Sequence, residues 1–452
     1  MLSLIDLSKL CFDIRFDIQV IFGVEVQVTC LVRGDSDEAA KTRLLNQIAS
    51  VRGTKDQDFP RRLSVVRGNI TQENFGLSKQ EFMQLAQDAD VILHSSAAVN
   101  HVQPYSWHRE SNTVATQRVL EFAASAGKDC FTPLHFISSS NAISGHPPTG
   151  DWLASLPNGY MQSKCVSEML CRNTIRLLAA GDYGCSKSAF PLNDALTVYR
   201  PGILTSHRQT GFCKLDDLYP RLLMAMRSLK IYPTVPNTAR YDMTPNDVFA
   251  KTTAALLVMK TILSGIAFDV EMVAEGIQYG NDWKVRYSDY TGETAELYEF
   301  VLKALFNSED LASMGPSILD SVASDTFDPI SRGVEVPFKC LVDGVKLSLA
   351  KEGANLEQVS FDLFVEHIRK SAEVGANEDA RRLLPLVHEI RRRGRPSAYE
   401  AGRRQTRFEA ASSCSALVKE SGRIAPQSQI TPETIQKCID FCLQSEKIKD
   451  GP

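Results

Sequence analysis

The sequence predicts an α/β protein built on a doubly wound, Rossmann-like parallel sheet. Two observations favour this class. First, short apolar segments rich in β-branched residues alternate with segments of helical period between residues 24 and 255. Second, polar, charged or small residues directly follow several of the apolar segments, where the carboxyl ends of parallel strands open onto a ligand site.

The predicted strands share an apolar, β-branched composition, and each ends at a polar or glycine-containing segment. They are Val24–Val32, Leu63–Val66, Asp90–His94, Leu134–Ile137 and Ala195–Tyr199. The apolar centre of Asp90–His94 is typical of a strand that is buried on both faces.

The predicted helices between these strands supply the crossovers that a parallel sheet requires. They are Glu38–Val51, Lys79–Asp88, Ser111–Ala126 and Tyr160–Leu178, followed towards the C-terminus by Val248–Leu263, Leu297–Phe306, Phe361–Ala372, Glu378–Arg391 and Glu433–Gln444. Thr431 is expected to cap the last helix, with Pro432 in its first turn. We therefore expect an atypical N-terminal segment at 1–23, a Rossmann-like domain at 24–255 and a smaller, mostly helical substrate region at 256–452.

Composition excludes several classes of partner. The 50 Lys and Arg residues nearly balance the 54 Asp and Glu residues, for a net charge of −4, so no global attraction to nucleic acid or to anionic membrane is expected. No apolar run approaches the roughly 18 residues of a membrane span. The basic, polar stretch at 391–430 fits a solvated loop better than a nucleic-acid site, because no aromatic residues are interleaved with its arginines.

The 11 cysteines include no C-x-x-C pair, which favours reduced thiols in a cytoplasmic protein over a disulfide framework. Cys438 and Cys442 lie one helical turn apart, and no His or Cys cluster accompanies them in the sequence. We interpret that pair as packing, and we expect no metal site.

The strongest chemical signal is the Y-x-x-x-K spacing of Tyr160 and Lys164. Residues four apart share one face of a helix, and a nearby ammonium lowers the pKa of a tyrosine. Such a tyrosine can exchange a proton with a carbonyl or alcohol oxygen, while the lysine can also bind the ribose of a nicotinamide nucleotide. A pair of unrelated helix-surface residues is the alternative. The serine run 138–140 follows a strand and can donate a hydrogen bond to a substrate oxygen, or it can be an ordinary transition to a loop.

Five segments occur in an order that resembles a known family. They are VTCLVRG, VILHSSAAVNHVQPYSWHRESNTVATQRVLEFA, HFISSSNAIS, GYMQSKCVSEML and LTVYRPGILT. They resemble the thioester-reductase domains, members of the extended short-chain dehydrogenase/reductase superfamily, that terminate some nonribosomal peptide and polyketide synthases. Carboxylic acid reductases and aminoadipate reductases carry similar domains. The resemblance covers residues 24 to about 255.

The resemblance implies roles for individual residues. Tyr160 and Lys164 match the catalytic pair, and Ser140 matches the catalytic serine, with Ser139 as the second choice. Arg33 matches the arginine that contacts the 2′-phosphate of NADPH, a group that a guanidinium suits well. The remaining matches to the cofactor and substrate surroundings are Arg43, Ala97, Ala98, Asn112, Arg200, Pro201 and Gly202.

The activity that the resemblance implies is NADPH-dependent release of an acyl thioester as an aldehyde or alcohol, in secondary metabolism. The implied partner is a carrier protein of a synthase, which bears the acyl group.

One departure from the family pattern concerns the first strand and its glycine-rich phosphate loop, T-G-x-x-G-x-x-G, which are expected before Val24. Residues 1–22 contain no glycine. We therefore expect the first strand and loop to be missing, with Phe16–Phe22 filling the gap as an antiparallel strand or as a covering helix. Three further interpretations stay open: a non-redox, Dieckmann-type cyclase, a non-catalytic remnant, or an incomplete gene model.

Overall fold

The computed structural model describes about half of the chain. The described residues are 2–6, 26–52, 63–125, 131–139, 153, 156, 158–180, 195–235, 240–247, 249–250, 253, 257, 278–279, 283–284, 330–331, 334–373, 380, 383 and 430–449.

The strands, numbered in chain order, are β1 (Leu2–Asp6), β2 (Val26–Val32), β3 (Leu63–Arg67), β4 (Val91–His94), β5 (Leu134–Ile137), β6 (Leu196–Arg200), β7 (Ile203–Leu204), β8 (Ile231–Pro233), β9 (Arg240–Thr244), β10 (Gln278–Tyr279), β11 (Trp283–Lys284), β12 (Ile330–Ser331), β13 (Val334–Pro337) and β14 (Glu357–Val359). The α-helices are α1 (Asp37–Arg52), α2 (Lys79–Asp88), α3 (Tyr105–His108), α4 (Ala115–Ala124), α5 (Gly159–Ala180), α6 (Leu218–Leu229), α7 (Phe338–Ala350), α8 (Phe361–Glu373) and α9 (Pro432–Lys449). A π-helical segment, Arg109–Val114, joins α3 to α4.

A seven-stranded sheet with the order β12-β6-β5-β4-β1-β2-β3 forms the centre of the fold. All of its pairings are parallel. The chain runs outward from β1 to β3, then returns to β4 on the other side of β1 and runs outward again. This order has its switch point between β1 and β4, and ligands bind beyond the carboxyl ends of the strands at such a point. The predicted doubly wound α/β class is confirmed.

The expectation of a missing first strand is wrong. Leu2–Asp6 forms β1, which pairs in parallel with β2 and with β4, so the central position of the sheet is occupied. A replacement strand at Phe16–Phe22 would leave no room for a crossover before β2. A strand at residues 2–6 leaves residues 7–25 for the connection, and this satisfies the dozen or more residues that a parallel crossover needs. Phe16–Phe22 itself lies outside the described residues.

The described part of the chain divides into two compact units. The first comprises residues 1–200, 250–311 and 316–331, and the second comprises 201–249, 312–315 and 332–452. The sequence-based boundary near residue 255 stays a prediction, and the grouping of residues 201–249 with the second unit is a finding of the structure.

Aromatic packing forms much of the core of the first unit. The rings of Phe75, Phe82 and Phe122 lie with their centroids 5.0–5.2 Å apart, and all three side chains are buried. Phe82 projects from α2, which begins at a capping box between Ser78 and Glu81. This cluster anchors α2 and α4 beside the sheet.

The second unit is built from helices α6 to α9 and two small sheets, ordered β13-β9-β7 and β14-β8. Helices α7 and α9 approach closely, because a Cβ on Gly344 would lie 2.5 Å from the side chain of Ile435. Thr431 caps α9 as expected, since its hydroxyl accepts a hydrogen bond from the backbone N–H of Thr434. Helix α9 begins at Pro432, also as expected.

Several predicted elements fall wholly or mostly outside the described residues. They are the helices at Val248–Leu263, Leu297–Phe306 and Glu378–Arg391 and the basic stretch at 391–430. Among the helices that are described, none combines the length and the apolar composition needed to cross a membrane.

Candidate active site

Helix α5 carries the Tyr160/Lys164 pair, and its first turn is fixed by two local features. The side-chain oxygen of Asn158 accepts a hydrogen bond of 2.9 Å from the backbone N–H of Met161, which caps the helix. Gly159 packs directly on the backbone at the start of α3, where a Cβ would lie 2.2 Å from the carbonyl carbon of Pro104. Only glycine allows this approach, so Tyr160 occupies a well-determined position in the first turn.

Lys164 is buried at the carboxyl end of β5. Its ammonium donates a hydrogen bond of 2.8 Å to the carbonyl oxygen of Ile137 and lies 4.7 Å from the centroid of the Phe136 ring. Burial lowers the pKa of Lys164 to about 8, against the opposing effect of the Glu168 carboxylate. The pKa of the neighbouring His94 falls to about 3, through burial and then through the Lys164 charge, so this imidazole is neutral.

Tyr160 is half-buried, and two histidine rings flank it. The ring centroid of Tyr160 lies 5.5 Å from that of His101 and 6.0 Å from that of His108, both edge to face. Burial lowers the pKa of His108, against the opposing effect of its contacts with the backbone of Asn100 and Ala98. The nitrogens of His108 lie 3.1 Å from the carbonyl oxygen of Ala98 and 2.9 Å from that of Asn100. His108 therefore orders the loop after β4 and packs against the tyrosine.

Asn112 connects that loop to helix α5. Its side-chain oxygen accepts a 2.7 Å hydrogen bond from the backbone N–H of Ala98, and its amide nitrogen donates to the carbonyl oxygen of Ala98 and to the hydroxyl of Ser163. Ser163 in turn donates to the carbonyl oxygen of Tyr160. Asn112 is buried in the π-helical segment, a distortion that is frequent at functional sites. Its side chain therefore contacts protein groups on both sides, and a direct role in cofactor binding stays a prediction.

Arg200 forms a buried ion pair with Glu168, which lies one helical turn beyond Lys164 on α5. Its Nε lies 2.9 Å from one carboxylate oxygen of Glu168 and 3.1 Å from the other, and its Nη2 also donates to this carboxylate. Both side chains are only 4% exposed. The hydroxyl of Ser138 donates to the same carboxylate. The guanidinium of Arg200 is thus engaged by Glu168, which assigns it to holding α5 against β6.

Two residues of the serine run, Ser138 and Ser139, are among the described residues. Ser138 and Ser139 are buried directly after β5, and Ser138 contacts Glu168 as described above. Ser140, the preferred candidate for the catalytic serine, lies outside the described residues. The choice between Ser140 and Ser139 stays open.

Arg33 and Arg43 meet at the carboxyl end of β2. Both side chains are exposed, and the guanidinium of Arg43 donates a 3.3 Å hydrogen bond to the carbonyl oxygen of Arg33. The loop after β2 is tight, because a Cβ on Gly34 would lie 2.8 Å from the backbone nitrogen of Ala40 in α1. Two exposed positive charges therefore lie at the edge of the sheet where the sequence predicts a phosphate contact.

The remaining predicted residues follow strands of the same sheet. Ala97 and Ala98 are half-buried after β4, close to the switch point. Pro201 and Gly202 follow Arg200 directly and begin the second unit.

Sequence reasoning missed three residues of this site. Glu168 carried a usable signal, because it continues the four-residue spacing of Tyr160 and Lys164 along one face of α5. His108 and Ser163 carried no comparable signal, since their contacts join segments that are distant in sequence.

A family model described as male sterility protein, of the NAD-binding type, matches residues 23–253. Among curated proteins, aldehyde reductase lnbA of Aspergillus flavus is 34% identical over 232 residues, which is 49% of this chain and 21% of that protein. The non-canonical nonribosomal peptide synthetase hkm10 of Aspergillus hancockii is 30% identical over 320 residues, 68% of this chain and 29% of that protein. The chain thus spans less than a third of the length of these relatives.

The fold has a counterpart among solved structures. The crystal structure of the terminal R domain from the myxalamid PKS-NRPS biosynthetic pathway superposes with a TM-score of 0.64 at 19% identity, covering 99% of this chain and 91% of that one. The family match covers half of the chain, and the structural match confirms the Rossmann-like fold. This chain belongs to the NAD-binding family described as male sterility protein, and its fold is Rossmann-like.

Proposed function

We propose that this protein is an NADPH-dependent reductase that releases a carrier-bound acyl thioester as an aldehyde. The observation that carries the proposal is the Tyr160/Lys164 pair on α5, with Lys164 buried at the carboxyl end of β5 and held by the carbonyl oxygen of Ile137. A buried ammonium one helical turn from a half-buried tyrosine is suited to general acid catalysis at a carbonyl oxygen.

The described residues fit a nicotinamide nucleotide at both of its ends. The exposed Arg33 and Arg43 at the end of β2 suit a 2′-phosphate, which favours NADPH over NADH. Lys164 carries three ammonium donors and uses one of them on Ile137, so its position suits a ribose hydroxyl as well as the tyrosine. When bound, the nicotinamide supplies a hydride.

Tyr160 acts as the proton donor to the substrate carbonyl oxygen, and the positive charge of Lys164 stabilises the tyrosinate that this transfer leaves. A serine hydroxyl from the end of β5, Ser140 or Ser139, hydrogen-bonds the same oxygen as its charge grows. Loss of the thiol from the resulting hemithioacetal gives the aldehyde. In total, one thioester, one hydride and one proton give one aldehyde and one free thiol.

The partner we propose is a carrier protein of a synthase in secondary metabolism. This rests on the name of one relative, a nonribosomal peptide synthetase, and on the origin of the superposed R domain in a PKS-NRPS pathway. Because relatives also include an aldehyde reductase, further reduction to the alcohol is a second possible end point. The cytoplasmic location expected from the composition stays a prediction.

A non-redox, Dieckmann-type cyclisation is the alternative, and one observation favours it. The segment between β1 and Gly23 contains no glycine, whereas a glycine-rich loop lets the backbone approach a pyrophosphate. Consumption of NADPH in step with aldehyde formation separates the two reactions, because a cyclase would consume none.

The test is turnover of an acyl thioester by a Tyr160→Phe variant, followed through NADPH absorbance and aldehyde capture. Removal of the proton donor should lower kcat about 100-fold or more, while NADPH affinity stays within a factor of two, as for loss of a general acid. Tyr232→Phe, in the second unit, is the matched control and should turn over at the wild-type rate. Unchanged kcat in Tyr160→Phe would remove Tyr160 from the mechanism.

A further inference from the structure

Three buried cysteines meet in the second unit, and one of them is far in sequence from the other two. The Sγ of Cys213 lies 3.6 Å from that of Cys438 and 3.8 Å from that of Cys442. All three Sγ atoms lie within 4.8 Å of one another, and all three side chains are buried. The sequence shows only the Cys438/Cys442 pair, and the fold supplies the third thiol from the loop after β7.

The backbone around this cluster is fixed by close packing. Gly211 has a φ of +73°, and a Cβ there would lie 2.1 Å from the carbonyl oxygen of Lys437, so the loop carrying Cys213 rests directly on α9. The ammonium of Lys437 donates a 3.2 Å hydrogen bond to the carbonyl oxygen of Arg208 in the same loop. The ring of Phe212 packs edge to face on Phe441. These contacts hold the three sulfur atoms in place without help from a ligand.

The spacing of the sulfur atoms suits a metal ion. Metal–sulfur bonds of about 2.3 Å in tetrahedral or trigonal geometry place the sulfur atoms roughly 3.8–4.0 Å apart. Thiolate ligands select soft ions such as Cu(I) and Zn(II). Among the described residues the cluster contains no histidine or carboxylate ligand, so the donor set is three sulfurs. Zn(II) in structural sites is almost always four-coordinate, so three sulfur ligands would leave one of its positions unfilled, and this favours Cu(I) between the two ions.

Each of the three thiols must lose its proton when a metal ion binds its sulfur, so metal uptake at this cluster should release protons.

We propose that Cys213, Cys438 and Cys442 form a site for one soft metal ion, with Cu(I) as the preferred ion. The ion joins the loop after β7 to the C-terminal helix α9. It therefore stabilises the second unit and takes no part in the reaction at Tyr160.

The experiment is an anaerobic titration of the full chain with Cu(I) buffered by bicinchoninate, a coloured competitor. The wild-type chain should take up one more equivalent of Cu(I) from bicinchoninate than a Cys213→Ser or a Cys442→Ser variant does. In each variant the affinity of the cysteine cluster for Cu(I) should be about 100-fold lower or more. Cys340→Ser is the matched control. Its thiol lies in the same unit outside the cluster and donates to the carbonyl oxygen of Ile430, so this variant should retain the equivalent.

A second measurement needs no variant and so does not depend on whether the variants fold. Alkylation of the wild-type chain, in urea at a concentration where these buried thiols react without metal and followed by peptide mass mapping, should show that Cu(I) protects Cys213, Cys438 and Cys442 and leaves Cys340 reactive. Equal copper uptake by wild type and Cys213→Ser, or no protection of the three thiols, would show that the cluster is only core packing. Protection by Zn(II) but not by Cu(I) would overturn the choice of ion.

Discussion

The buried ion pair between Glu168 and Arg200 offers the sharpest test of how helix α5, which carries Tyr160 and Lys164, is held. Replacing Glu168 with Gln keeps the shape of the side chain but removes its charge, which leaves the Arg200 guanidinium buried without a counter-charge. Two charges about 3 Å apart attract by roughly 5 kcal/mol at an effective dielectric constant of about 20. Because both side chains are only 4% exposed, solvent does not screen this attraction.

We expect Glu168→Gln to lower the free energy of unfolding of the first unit by about 3 to 5 kcal/mol, the usual cost of breaking a buried pair. The measurement is urea unfolding followed by circular dichroism. Glu110→Gln is the matched control, since Glu110 pairs with Arg118 at 2.7 Å but is 51% exposed. That surface pair should contribute less than about 1 kcal/mol.

Two further results would check the reasoning. A Glu168→Leu/Arg200→Met double variant should be more stable than Glu168→Gln, because it leaves no unpaired buried charge. The carboxylate of Glu168 also raises the pKa of Lys164, so its removal should move the alkaline limb of the activity profile to lower pH. A loss below about 1 kcal/mol in Glu168→Gln, equal to that of the control, would refute the assignment of the pair as a support of α5.

Three other predictions concern the cofactor and the pH dependence. Arg33→Ala should weaken NADPH binding about 10-fold or more while changing NADH binding little, because it removes a charge-assisted contact to the 2′-phosphate. Fluorescence titration measures both affinities, and Arg67→Ala, at an exposed arginine at the end of β3, is the control. Equal weakening of both cofactors would make Arg33 structural. The rate of thioester reduction should fall as pH rises above about 8, since the Lys164 ammonium is charged below its pKa and neutral above it. The side chain in Lys164→Arg stays charged, so any residual activity of this variant should not fall above pH 8. Because residues 1–22 contain no glycine, the chain should bind NADPH with a Kd above the low micromolar range. Exchange of residues 1–25 for a strand–loop–helix segment with T-G-x-x-G should lower this Kd. A low-micromolar Kd for the unaltered chain would mean that other groups hold the phosphates.

The sequence by itself determined the parallel α/β class, because alternating apolar strands and amphipathic helices are local patterns. Lys79–Asp88 and Leu134–Ile137 were predicted with the bounds that the structure shows. The Tyr160/Lys164 pair was equally readable, since a four-residue spacing places both residues on one helix face wherever the helix lies.

The tertiary structure alone decided which segment fills the centre of the sheet. Leu2–Asp6 and Phe16–Phe22 both have strand-like composition, and only pairing with β2 and β4 distinguishes them. The same holds for Arg200, which the sequence places near the substrate and the structure pairs with Glu168.

The meeting of Cys213 with Cys438 and Cys442 was equally invisible in the sequence. The physical reason is common to all these cases. A local sequence pattern indicates which face of a helix or strand is apolar or charged. It does not indicate the partner of a buried charge, of a strand edge or of a thiol, because that partner depends on where distant segments pack.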